Sequence, residues 1–283
     1  MNEIQRIGIV GGGTMGHGIA HVSALAGCDV ALYDVDEARV AAALAKVRSN
    51  LDKGVERGKV APEERAAALL RLSGATRLED LAECDLVIEA IPEKLEMKRQ
   101  LFLALDAIVR EGAILATNTS SLSIAAIAAG GRAPNRVIGT HFFNPVHIMA
   151  LLEVVVYDGT APSVLDHVLR WGARIGKETI TVRDFPGFAT SRLGVCLGME
   201  AIRMVEQGVA TAEDIDKAMV LGYRHPVGPL RLTDMVGLDV RLAIGEYLAK
   251  ELQNPAFEPP ALMRKLVGEG KLGQKSGEGF YRW

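Results

Sequence analysis

The stretch GTHFFNPVHIMALLEVV, residues 139–155, is almost wholly apolar yet carries His141 and, further on, Glu153. Burying an imidazole and a carboxylate is costly unless the two are paired. Perturbed acids and bases gather at functional sites. The two residue types are those of a general acid–base device, in which an imidazole exchanges a proton and a carboxylate orients it. The stretch alone does not tell whether they serve as one or are merely paired. The competing reading is an ion pair with a purely structural role. His147, in the same stretch, reads as surface or packing.

A second chemical signature lies at the start of the chain. RIGIVGGGTMGHGIAHVSALAGCDVALYD reads as strand, tight turn, helix, strand, with Gly11, Gly13 and Gly16 spaced as G-x-G-x-x-G. The three glycines make the turn, admit a pyrophosphate against the backbone, and pack helix on strand. A helix starting near Thr14 and Met15 points its amides at the phosphates. Asp34 follows at the spacing where an acid accepts the adenosine ribose hydroxyls. Its charge disfavours a 2′-phosphate, so NAD is expected rather than NADP.

These residues need elements to position them, and an alternation of strands and helices supplies them. CDLVIEAIPE (84–93) reads as a buried strand ending in Glu89 and Glu93. EKLEMKRQLFLALDAIVREG follows as a helix, with Leu95, Leu101, Phe102, Leu105 and Ile108 at helical spacing. AILATNTSSLSI is a strand broken at Asn118, and NRVIGTHFFNP is another ending near His141. Ligands sit beyond the carboxyl ends of parallel strands. Asp34, Glu93, Ser120 and His141 all fall there. The implied fold is α/β, a Rossmann-type doubly wound sheet over residues 1–185. After Pro186-Gly187 strand-like runs nearly vanish, and 186–283 reads as a smaller all-α domain. Its landmarks are a helix closed by Gly208, a cap at Thr211 with Asp214, a helix ending at Gly222 and another running to Pro255. Pro62 reads as the first position of a short helix. Lys46, Asn50, Lys53 and Arg57 share one face of the helix before it.

The bulk properties exclude several classes. The chain has 283 residues, 49% hydrophobic, and a net charge of -3 with both signs interspersed. Nothing there favours nucleic acid or a membrane surface as partner. Cys28, Cys84 and Cys196 lack metal-ligand spacing, so neither a metal site nor a disulfide framework is expected. No apolar run approaches the roughly 20 residues of a membrane span. MNEIQ leads straight into RIGIV without a basic, cleavable leader, and the expected location is cytoplasmic.

In order along the chain, IGIVGGGTMGHGIA, NTSSLSI, GTHFFNPVHIMALLEVV, DFPGFATSRL, EDIDKAMVLGYRHPVGPLRLTDMVGLD and KLGQKSGEGFYRW resemble the L-3-hydroxyacyl-CoA dehydrogenase family. The likeness is strongest to its short bacterial 3-hydroxybutyryl-CoA branch and covers essentially the whole length. It implies reversible oxidation of an (S)-3-hydroxyacyl-CoA to the 3-ketoacyl-CoA with NAD, in a homodimer joined largely through the helical domain. It implies that His141 is the catalytic histidine, Glu153 its partner and Ser120 the active-site serine. Cofactor contacts carry over to Gly11, Gly13, Gly16, Asp34, Glu93, Lys98, Ser120, Asn144 and Lys275. Two departures stand out. Ser191 occupies a place where the family usually has asparagine, and is expected to assist positioning. Asn50 and Arg57 replace a serine and a lysine that approach CoA in animal relatives; with Lys53 they are the expected CoA contacts. A branch acting on a small free hydroxy acid and a non-catalytic NAD-binding protein are the alternatives.

Overall fold

The computed structural model describes residues 3–283. The chain divides into two compact units, one ending at Asp184 and the other spanning Phe185–Trp283. In the first, β1 (Arg6–Val10) enters the glycine turn and α1 (Thr14–Leu25), then β2 (Asp29–Tyr33), α2 (Glu37–Glu56), α3 (Pro62–Leu70) and β3 (Leu72–Ala75). The chain continues through β4 (Leu86–Glu89), α4 (Leu95–Ile108), β5 (Ile114–Thr117), α5 (Ile124–Ala128) and β6 (Val137–Phe142). β7 (Leu151–Val156), α6 (Pro162–Arg174) and β8 (Glu178–Arg183) complete the unit. The sheet order is β3-β2-β1-β4-β5-β6-β7-β8. The chain therefore winds one way from β1 and the other way from β4. The switch point between those two strands is where open α/β sheets hold ligands.

β1, β4, β5 and β6 are mainly apolar and almost wholly buried, as strands covered on both faces must be. Several features differ from the sequence expectation. β3 was not anticipated, because its residues, LSGA, include no β-branched or aromatic side chain. It forms because β2 offers an open edge and pairs with it in parallel. β7 is antiparallel to β6, so the sheet is only mostly parallel. β4 ends at Glu89 rather than running to Glu93, and the Glu89 side chain caps the break by accepting the Ile91 amide at 2.7 Å. On α4, Phe102 and Leu105 are buried, but Leu95 is exposed and Lys98 takes the buried place instead.

The second unit holds α7 (Thr190–Glu206), α8 (Ala212–Tyr223), α9 (Pro229–Val236), α10 (Leu238–Leu252) and α11 (Ala261–Gly268). They pack on a separate core that includes Val195, Met199, Ile202, Ile215, Leu230, Leu248 and Met263. The Thr211 hydroxyl accepts the Asp214 amide and caps α8. α8 ends on left-handed Arg224 and α10 on left-handed Gln253, beyond the expected Gly222 and short of Pro255.

Candidate active site

The glycine loop has the shape that the G-x-G-x-x-G spacing requires. Gly11 adopts φ +100°, and a side chain on Gly16 would collide with the Gly11 carbonyl. These two glycines are explained by the protein's own packing. Gly13 is not, since a Cβ there would meet nothing within 4 Å. Its lack of a side chain instead leaves open space beside the first amides of α1, at Thr14 and Met15. That is the cradle a pyrophosphate needs. Asp34 lies just past β2. Its Oδ2 accepts the Gly12 amide at 2.8 Å and its Oδ1 accepts Val35 N at 2.7 Å. Each oxygen keeps a lone pair for a ribose hydroxyl, and the same carboxylate ties the glycine loop to β2. The residues present fit a dinucleotide.

The antiparallel turn from β6 to β7 builds the acid–base pair. Its register sets Gly139 opposite Val155, Thr140 opposite Val154 and His141 opposite Glu153. Directly opposed residues share a sheet face with neighbouring Cβ atoms. His141 Nδ1 and Glu153 Oε2 stand 2.7 Å apart, with Glu153 fully buried and His141 7% exposed. A carboxylate only accepts, so the Nδ1 proton is held between the pair and the ring is fixed in one tautomer. The Asn118 side-chain Oδ1 accepts the Phe142 amide at 2.9 Å, clasping the end of β5 to the end of β6. The segment beyond His141 carries Asn144, exposed, and a cis Asn144-Pro145 bond. The buried Lys177 ammonium holds it by donating to the Val146 and Met149 carbonyls. The His147 ring stacks on buried His21 of α1, centroids 5.2 Å apart. His147, itself exposed, thus serves in packing.

Ser120 lies beyond β5 and is tied to Glu93, beyond β4. Glu93 Oε1 accepts the Ser120 amide at 2.9 Å, the Ser120 hydroxyl at 3.3 Å and the Thr119 hydroxyl at 2.5 Å. Behind this rim, Lys98 Nζ lies 3.2 Å from Glu93 Oε2 and 2.6 Å from Glu89 Oε1. Lys98 is 1% exposed, so its ammonium is already committed to protein carboxylates. Burial pushes the Glu89 carboxyl up from its ordinary range, against the opposing pull of Lys98 and of donors from Thr117 and Ile91. From sequence Glu89 is only the end of a strand. An acid closing an otherwise apolar strand was the available signal.

The remaining expected residues are each described on the unit that carries them. Asn50 and Lys53 lie on α2, Lys53 exposed, and Arg57 is the residue that closes that helix. Ser191 is in the first turn of α7, and the Lys275 ammonium is 2.7 Å from Asp239 Oδ2 within the second unit. Among the described residues no cluster of three or more His, Cys, Asp or Glu is arranged to hold a metal ion. No helix among the described residues is long and apolar enough to cross a membrane.

Comparison with known proteins adds an independent line. The model of the 3-hydroxyacyl-CoA dehydrogenase NAD binding domain matches residues 6–185, and that of the 3-hydroxyacyl-CoA dehydrogenase C-terminal domain matches 187–283. A 3-hydroxybutyryl-CoA dehydrogenase of Mycobacterium tuberculosis is 43% identical, over 100% of this chain and 99% of its own. The crystal structure of M. tuberculosis FadB2 superposes with a TM-score of 0.97 at 43% identity, covering 100% of both chains. That of (S)-3-hydroxybutyryl-CoA dehydrogenase PaaH1 from Ralstonia eutropha gives 0.96 at 41%, covering 99% of each.

Proposed function

The chain belongs to the 3-hydroxyacyl-CoA dehydrogenase family, and from that premise we propose that it oxidises short (S)-3-hydroxyacyl-CoA, such as 3-hydroxybutyryl-CoA, reversibly to the 3-ketoacyl-CoA. NAD is the cofactor, and when bound it supplies the acceptor for the hydride leaving C3. The observation that carries the reading is the buried His141–Glu153 pair at 2.7 Å, in the same unit as the glycine cradle. In the oxidising direction His141 Nε2 removes the hydroxyl proton as C3 gives up its hydride. Glu153 holds Nδ1–H and stabilises the imidazolium that forms. In reduction His141 returns the proton. Ser120, held by Glu93, orients the substrate oxygen, and Asn118 keeps the end of β6 in place.

Asp34 receives the adenosine ribose, Thr14 and Met15 meet the phosphates with Gly11, Gly13 and Gly16, and Glu93 and Asn144 flank the nicotinamide end. Lys98 acts on the cofactor through Glu93 rather than directly, and Lys275 contributes from the second unit. Asn50, Lys53 and Arg57 form the CoA-facing surface, and Ser191 assists substrate positioning. The enzyme works as a homodimer in the cytoplasm. Leu193, 72% exposed, and Leu197, one turn further along α7, support an apolar contact with a second copy. The test is NADH oxidation with acetoacetyl-CoA against free 3-keto acids. Turnover of the thioester and little of the free acid is expected; the reverse preference would favour a small hydroxy-acid dehydrogenase instead.

A further inference from the structure

Glu89, the last residue of β4, has no solvent exposure, yet its carboxylate collects three donors. Lys98 Nζ at 2.6 Å and Ile91 N at 2.7 Å approach Oε1, and Thr117 Oγ1 at 2.7 Å approaches Oε2. The Lys98 ammonium is shared with Glu93, whose side chain is 38% exposed. Three charges thus run from the sheet interior outwards: Glu89, Lys98, Glu93. Beyond the last stands Ser120.

The Glu93 carboxylate is pulled two ways, by Lys98 at one oxygen and by Ser120 and Thr119 at the other. The balance depends on Glu89. Without its charge, a buried ammonium would retain Glu93 as its only acid, and a charge that cannot be hydrated draws in whatever counter-charge can move. Glu93, at the solvent edge, is the one able to move. Glu89 caps the Ile91 amide, but a neutral acceptor would do the same, so local architecture does not call for a charge there. β4 is already paired on both sides, with β1 and β5, and a buried ion pair is a weak source of net stability compared with apolar packing.

We propose that Glu89 is a positioning residue of the dehydrogenase reaction: through Lys98 it holds the Glu93 carboxylate against Ser120 and so sets the rim that meets cofactor and substrate. This rests on the reading of Glu93 and Ser120 as site residues.

The test compares full-length Glu89→Gln, Lys98→Met and the double variant for NADH affinity by fluorescence titration, for kcat with acetoacetyl-CoA, and for Tm. Glu89→Gln should weaken NADH binding and lower kcat, each by about tenfold, as for one lost charge-assisted contact. The double variant should be no worse than the poorer single one, because the two residues act in series. A lowered Tm with unchanged affinity and kcat, or losses that multiply in the double variant, would overturn the proposal. If Glu89→Gln does not fold, Thr117→Val decides. It removes one donor to Glu89 and should lower affinity and kcat in the same direction by about threefold, within the worth of a neutral hydrogen bond; no change would overturn the proposal. Glu93→Gln and Ser120→Ala serve as references. If both retain wild-type kinetics, the reading of the site fails and this proposal with it. If both are impaired while Glu89→Gln is not, only the role of Glu89 falls.

Discussion

Asp34 accepts the Gly12 amide at 2.8 Å, so the carboxylate expected to meet the ribose also braces the loop expected to meet the phosphates. Its removal should therefore cost NADH binding twice over. Asp34→Ala is expected to lower kcat/KM with NADH by about 1.5–3 kcal/mol, the worth of hydrogen bonds to a charged group, and to narrow the preference over NADPH because the repulsive charge is gone. The ratio of kcat/KM for the two cofactors measures this, and a wild-type enzyme indifferent between them would refute it. Ser191 poses a milder case. A serine hydroxyl can donate or accept where an amide offers both groups. Ser191→Ala should reduce kcat/KM by about tenfold, roughly one neutral hydrogen bond, while Ser191→Asn stays active and both keep the wild-type pH profile. Activity lost as completely as in a His141 variant would mean that Ser191 carries the proton.

At the scale of elements, α1 and the segment after β6 meet through imidazoles. His21 is buried, its Nδ1 has no hydrogen-bond partner among the described residues, and burial together with His147, His17 and Lys177 lowers its pKa to about 4. His17 and His147 are lowered too, mainly by burial. A histidine held below its unfolded value of about 6.5 favours folding only while neutral. The contribution is complete above that value and is lost as pH falls from there toward 4, by up to about 3 kcal/mol for His21. Urea unfolding at pH 7.5 and at pH 5 should show this loss in the wild type and a smaller one in His21→Phe, which keeps a ring for the stack. Equal losses would contradict the assignment. On α2, Arg57→Glu should raise KM for acetoacetyl-CoA with little change in kcat, the mark of lost uniform binding. The effect should weaken in salt, since screening acts over about 8–10 Å. A collapse of kcat at unchanged KM would show that Arg57 belongs to the chemistry.

Local chemistry made part of this arrangement readable in the sequence. The glycine loop, the first strand and helix, and Asp34 follow from steric rules acting over a few residues, and Thr211 capping Asp214 is equally local. β3 was hidden because LSGA pairs only on account of the strand beside it. The strand LLEVVV, apolar except for Glu153, carries no mark of running antiparallel, so His141 and Glu153 could be paired in chemistry but not in register. The partners of Lys98 are hidden in the sequence for a similar reason. Its helical position is plain, but the two carboxylates that hold it come from the end of β4 and the segment beyond, which only tertiary structure brings within reach.

At the scale of the whole molecule, a dinucleotide cradle and a buried acid–base pair stand on one unit, and a helical unit carries an exposed leucine pair on α7. Sedimentation should find a dimer, and Leu193→Glu should shift it toward monomer; a monomeric wild type would overturn that expectation. The central claim is that His141, oriented by Glu153, moves the substrate proton. The most direct measurement is the initial rate of NADH formation from (S)-3-hydroxybutyryl-CoA by wild type, His141→Gln and Glu153→Gln, with NADH affinity titrated on the same samples. A positioned acid–base group is worth about 10²–10⁴ in rate. Both variants should fall into that range in kcat while binding NADH nearly as the wild type does. Near wild-type turnover in either variant would return the pair to a structural role.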